Sequence, residues 1–134
     1  TAVAVTEEGD FIFERQYRHA AGLTMLEIPG GCVDPEDVNL ESAIARELKE
    51  ETGLSANKWT QIMRIHTSNS VTDEEGFVFL AEDLAQGETE FEETEQLQII
   101  KLPLKEAIQK VMDGEITDAI SVAGLLKVAR ILNL

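Results

Sequence analysis

The stretch Arg46-Glu47-Leu48-Lys49-Glu50-Glu51-Thr52-Gly53-Leu54 constrains this chain more than any other part of it. It reads as the end of a helix stopped by Gly53 at the C′ position. Residues three and four apart are neighbours on a helix, so Glu47, Glu50 and Glu51 share one face. Each like-charge pair at that spacing costs about 0.2–0.5 kcal/mol, and the C-terminal end of the helix dipole disfavours anions as well. Folding alone would place Lys or Arg there. The alternative, a solvated acidic helix end, has to be weighed against a site for a positive charge, and hard carboxylate oxygens suit Mg²⁺ or Mn²⁺ better than Zn²⁺.

The surroundings favour the ion site. Upstream lies Glu27-Ile28-Pro29-Gly30-Gly31-Cys32-Val33-Asp34, an apolar strand running into a Gly-Gly turn that lets backbone carbonyls approach a ligand. The spacing predicts a helix from about Asn39 to Thr52, with Leu40, Ile44 and Leu48 on a buried stripe beside Ala43 and the carboxylates off it.

A length of 134 residues with 43% hydrophobic content is the size of one domain with one core, and aromatics at 5% leave aliphatic residues to build it. The formal charge of −15 gives no electrostatic footprint for nucleic acid or an anionic membrane. A phosphate substrate would need a metal and local basic residues to overcome that field. No run of 18 apolar residues and no signal peptide is visible, so the reading is a soluble, cytoplasmic protein. Cys32 is the sole cysteine and has no internal disulfide partner, which fits a reducing compartment. The sequence opens at Thr1 already reading as strand, and the expectation is that further residues precede it.

Along the chain, Phe11 to Arg18 has strand composition, with a polar second half suited to line a cleft. Trp59 to Ile65, Gly76 to Leu80 and Leu97 to Leu102 read as further strands, and Thr67-Ser68-Asn69-Ser70 as a polar loop between the first two. Glu88 to Glu95 forms a dense acidic loop. Pro103 opens a helix to about Met112, Gly114 breaks it, and Asp118 caps a last helix through Leu132. Helices that do not alternate regularly with strands imply an α+β domain, helices packed around a mixed sheet.

These residues resemble the signature of the Nudix hydrolases: Gly, five residues, Glu, seven residues, Arg-Glu, an aliphatic, any residue, Glu-Glu, any residue, Gly, an aliphatic. Gly31 opens it here, and Arg46 to Leu54 matches its second half at every position. The first half departs from it: Asp37 stands for the first Glu, and the interval to Arg46 is one residue longer. Arg15-Gln16-Tyr17-Arg18-His19, Leu26 to Gly31, Phe77 to Ala81, and Gly114 to Ala119 with Ser121 are similar to the ADP-ribose pyrophosphatase and nucleotide-sugar branch. The resemblance implies a single α/β/α Nudix domain over residues 1–134 and homodimers built through N-terminal strands. ADP-ribose enzymes usually carry a proline in the loop that here reads Thr67-Ser68-Asn69-Ser70, so the implied substrate is a nucleoside diphosphate sugar in general.

Residue by residue, the resemblance implies that Glu47 and Glu51 are the principal ligands of Mg²⁺ or Mn²⁺, with Glu50 bridging or acting through water and the Gly30 carbonyl completing the set. Arg46 orients a carboxylate by ion pairing. Glu93, with Glu92 next, is the implied general base on a mobile loop, and Glu95 is able to reach a metal. Side chains alternate along a strand, so only one of Arg15 and Arg18 can face the cleft directly. The resemblance favours Arg18, with Gln16 also near the substrate, and a planar guanidinium suits a diphosphate. His19 and His66 read as structural or surface residues. Two further readings keep the fold, a hydrolase of nucleoside triphosphates or RNA 5′ ends and a non-catalytic nucleotide-sugar-binding module. The charge argues against long RNA, and the module predicts loss of a metal carboxylate, whereas all three are present.

Overall fold

The computed structural model describes residues 1–87 and 98–133. Among the described residues six strands run in chain order with three helices: β1 Ala2–Ala4, β2 Asp10–Arg18, β3 Leu23–Glu27, α1 Leu40–Thr52, β4 Leu54–His66, β5 Glu75–Gln86, β6 Gln98–Pro103, α2 Leu104–Met112 and α3 Ala119–Ile131. They form two three-stranded sheets, ordered β1-β5-β4 and β3-β2-β6. The first is mixed, with β1 parallel to β5 and β4 antiparallel to it, and the second is antiparallel throughout. A bridge between Val5 and Phe11 links the strands that begin the two sheets.

Strand alternation explains the layering. On β1 and β5, Val3, Val78 and Leu80 face a core shared with Phe11, Phe13, Ala107 of α2, and Leu125 and Val128 of α3. Their neighbours Ala2, Ala4, Phe79 and Ala81 face the other way, toward Ile44 and Leu48 of α1. Helices therefore cover opposite faces, and the α+β expectation holds, with the strands divided between two sheets. Among the described residues no helix is long and apolar enough to cross a membrane.

Local chemistry sets the ends of α1. The Asn39 side chain accepts from the Ser42 N–H at 2.8 Å while Ser42 Oγ accepts from the Asn39 N–H at 3.1 Å, a reciprocal cap. At the other end Gly53 adopts φ 74°, a left-handed conformation that favours glycine, and donates its N–H to Lys49 O. Strands β4 and β5 run well past the segments that apolar pattern alone picks out. Their outer halves carry exposed polar residues that still pair across the ladder, such as Ser55 with Ala85 and Lys58 with Glu82, so hydrogen bonding rather than burial extends them.

The loop after β3 is clamped from several elements. Pro29 O accepts from the Ala2 N–H at 2.8 Å, and the Ile28 N–H donates to Ser121 Oγ of α3 at 3.0 Å. Ser121 is fully buried and donates its own hydroxyl to Asp118 Oδ2 at 2.7 Å, the same carboxylate that caps α3 through the Ser121 N–H. Ser121→Ala leaves the Ile28 N–H without its partner, and we expect a loss of about 1–3 kcal/mol, the cost of a buried unsatisfied donor. Urea denaturation checks this: an unchanged midpoint would show that the Ser121 bridge contributes nothing.

Candidate active site

Helix α1 buries Ile44 and Leu48 and turns Arg46, Glu47 and Glu50 outward, while Glu51 reaches back over the loop that follows β3. Arg46 organises this face. Its Nη1 donates to Glu47 Oε1 at 3.0 Å and to Glu50 Oε2 at 3.2 Å. Its Nε and Nη2 grip both oxygens of Asp37 at 3.1 and 3.0 Å, and Nη2 also reaches Cys32 O at 3.2 Å. These bonds, the pair with Asp37 first among them, hold the Arg46 charge more firmly than usual. The pairs set Arg46 between the carboxylates of Asp37, Glu47 and Glu50.

Asp37 stands where the signature has Glu and braces the loop, accepting the Asp34 N–H at 2.7 Å as well as the Arg46 fork. The Arg46 fork, and then the Asp34 N–H, hold its carboxyl below the usual aspartate range. A depressed folded pKa contributes stability that is present above the unfolded value of 3.8 and is lost as pH falls through the lower folded value. Asp37→Asn should therefore have a lower Tm than the parent at pH 6, with the two curves converging on acidification below 3.8. Parallel curves across that range would refute the assignment.

At Gly30-Gly31 close approach, and not a left-handed backbone, favours glycine. Among the glycines of left-handed φ, neither Gly30 nor Gly31 appears. Gly31 is required by proximity: a Cβ there would lie 2.3 Å from Glu47 Cδ. Gly30 donates its N–H to Glu51 Oε2 at 3.2 Å, which places the backbone of the loop directly against the acid face.

Behind Glu51 stands a residue that motif reading misses. Glu14 of β2 is 2% exposed, and its Oε2 has no hydrogen-bond partner. Burial first, and then the adjacent Glu51 and Glu27, push Glu14 up to about 9, and burial pushes Glu51 up to about 7. The signal was present in alternation: Ile12 points toward Leu48 of α1, so Glu14, two residues on, shares that face.

Arg18 and Gln16 follow Glu14 on the same side of β2. Arg18 donates Nε and Nη2 to Glu27 at 2.7 and 2.6 Å, a bidentate pair at the edge of the acid cluster. Arg15 lies on the opposite face and lines a separate hollow with Leu26, Leu102 and Lys110, so the structure does not bring it to the glutamates. Glu92, Glu93 and Glu95 lie outside the described residues.

A groove of about 550 Å³ opens beside Glu47, walled by Ile44 of α1, Phe77 and Phe79 of β5, Ser68 of the β4–β5 loop and Ile120 of α3. Its described lining carries Glu47, Glu74, Glu75 and Asp118 and no lysine or arginine. Among the described residues no group of three or more His, Cys, Asp or Glu side chains is arranged to hold an ion: Arg46 draws Glu47 and Glu50 to one side while Glu51 turns toward Gly30. The donor chemistry still fits a hard divalent cation, since the oxygens are all carboxylate or carbonyl and one buried carboxylate oxygen is unpartnered.

Comparison with known proteins gives the family. A NUDIX domain model matches residues 1–121. The chain is 37% identical over 119 residues to an ADP-ribose pyrophosphatase of Bacillus subtilis (strain 168), covering 87% of this chain and 64% of that protein. It is 33% identical over 129 residues to an ADP-ribose pyrophosphatase of Mycobacterium tuberculosis (strain ATCC 25618 / H37Rv), covering 94% and 62%. It thus spans a little under two thirds of the length of these curated relatives. A crystal structure of an ADP compounds hydrolase superposes with a TM-score of 0.85 at 26% identity, over 98% of this chain and 71% of the other. Signature, fold and relatives converge, and the chain belongs to the Nudix family.

Proposed function

We propose that this domain hydrolyses the diphosphate linkage of nucleoside diphosphate sugars, such as ADP-ribose or GDP-mannose, to a nucleoside monophosphate and a sugar phosphate. The observation that carries the reading is the acid face of α1, organised by Arg46 and opening onto a groove that lacks cationic side chains. The ADP-ribose pyrophosphatases among its relatives support the substrate class.

In this reading Glu47 and Glu51 would hold Mg²⁺ or Mn²⁺, with Glu50, the Gly30 carbonyl and Glu95 assisting. A divalent cation, when bound, neutralises phosphate oxygens and lowers the pKa of water. Arg46 keeps Glu47 and Glu50 in place. Glu93 takes the proton from the attacking water, whose oxygen joins one phosphorus as the bond to the bridging oxygen breaks. Arg18 and Gln16 orient the diphosphate from β2, with the groove receiving one end of the substrate. The full-length protein is a cytoplasmic homodimer in the same reading.

Turnover on ADP-ribose, GDP-mannose, UDP-glucose, dNTPs and capped RNA, with Mg²⁺ or Mn²⁺, tests the proposal beside a Glu50→Gln/Glu51→Gln control. The expected result is metal-dependent cleavage of the diphosphate sugars that the control abolishes. Preferential cleavage of dNTPs or caps would reassign the substrate, and tight binding without cleavage of any compound would identify a binding module instead.

A further inference from the structure

Glu14 is a buried acidic group that the activity above does not use. It continues the inward face of β2 from Ile12, which packs with Leu48 of α1, and Glu51 lies one helical turn beyond Leu48. Topology thus drives two carboxyl groups, 37 residues apart in sequence, into the same buried corner, with Glu27 close by. Glu14 is 98% buried by its 2% exposure, and its Oε2 accepts no hydrogen bond from any group. The nearest cationic side chain is not available to it: Arg18 directs Nε and Nη2 to Glu27. Glu51 accepts a single N–H, that of Gly30 at 3.2 Å. Glu14 and Glu51 meet side chain to side chain, and an oxygen of that buried pair that accepts from no donor is a position a cation can satisfy.

We infer that Glu14 is a further cation-holding residue, sharing with Glu51 a Mg²⁺ or Mn²⁺ ion on the inner side of the acid face. Two carboxylates suffice, because Mg²⁺ keeps several of its waters and takes one or two protein carboxylates. The inference rests on the metal-dependent reading above and extends it to a residue outside the signature. It also accounts for an acidic side chain at a strand position flanked by Phe11, Ile12 and Phe13, all buried.

Mn²⁺ titration of the full-length protein, with free ion followed by electron paramagnetic resonance, tests this on the parent and on Glu14→Gln. The amide keeps the size of the side chain and removes the charge. Glu14→Val, which matches the apolar surroundings, serves as a second variant should the amide fail to fold. We expect Mn²⁺ affinity to fall at least about tenfold, the lower end for losing a group that supports a metal site, and the Mn²⁺-induced rise in Tm to shrink with it. Metal-free Tm should hold or increase, since an unpartnered buried acid has been removed. An affinity within twofold of the parent would overturn the inference and leave the function standing. A parent that binds no Mn²⁺ would overturn both.

Discussion

Glu51→Gln is expected to reduce turnover on a nucleoside diphosphate sugar by on the order of 10³-fold, with substrate binding changed far less. The estimate follows from what a metal contributes to phosphoryl chemistry: several kcal/mol of charge stabilisation, where each 1.36 kcal/mol is tenfold in rate. Glu51 is positioned to matter because it stands at the junction of α1 and the loop after β3, with Gly30 donating to it. The amide keeps the shape and can still accept that N–H, so the fold should survive. Steady-state kinetics at saturating metal, with circular dichroism to confirm folding, would check it. A folded variant retaining more than a tenth of parental kcat would remove Glu51 from the metal-holding set.

Gly31→Ala should cost roughly 10²-fold in kcat while barely affecting stability. The added methyl carbon would fall 2.3 Å from Glu47 Cδ and 2.5 Å from both carboxylate oxygens. The backbone on either side of Gly31 is hydrogen-bonded, at Gly30 N–H and Cys32 O, whereas the Glu47 carboxylate is the far end of a flexible side chain, so the carboxylate moves. It leaves the position at which Arg46 Nη1 holds it, 3.0 Å away, and displacements of about 1 Å at a reacting centre carry penalties of this size. Because the displaced group is polar and partly exposed, the thermal midpoint should change little. Parental kinetics together with a lowered midpoint would reverse the interpretation and make Gly31 a packing residue alone.

Both expectations depend on a face that is legible from local rules. The ends of α1 follow from Asn39 and Gly53 because capping and left-handed backbone preferences act over a few residues. The grouping of Glu47 and Glu50 follows from helical periodicity, and Arg46 bridges them across one turn. The cap at Asp118 reads off the chain for the same reason, with its carboxylate accepting the Ser121 N–H. In the altered first half of the signature, the shorter Asp37 side chain meets the Arg46 fork from a loop one residue longer.

What sequence by itself determined, then, is everything governed by spacing along the chain: the helix, its caps, the acid cluster, the strand-rich α+β class and, through the signature, the family. What only the tertiary structure decided is which distant groups meet. Alternation separates Arg15 from Arg18, but only the pairing of β2 with β3 and β6 shows that Arg18 meets Glu27 while Arg15 faces a different hollow. No local rule places Glu14 against Glu51, because that contact arises when the inward face of β2 joins the core cluster that holds Leu48 of α1, and burial overrides the ordinary preference of a carboxylate for water. The need for glycine at position 31 belongs to the same class: it comes from the approach of Glu47 across 15 residues of intervening chain, and not from the backbone angles at that position.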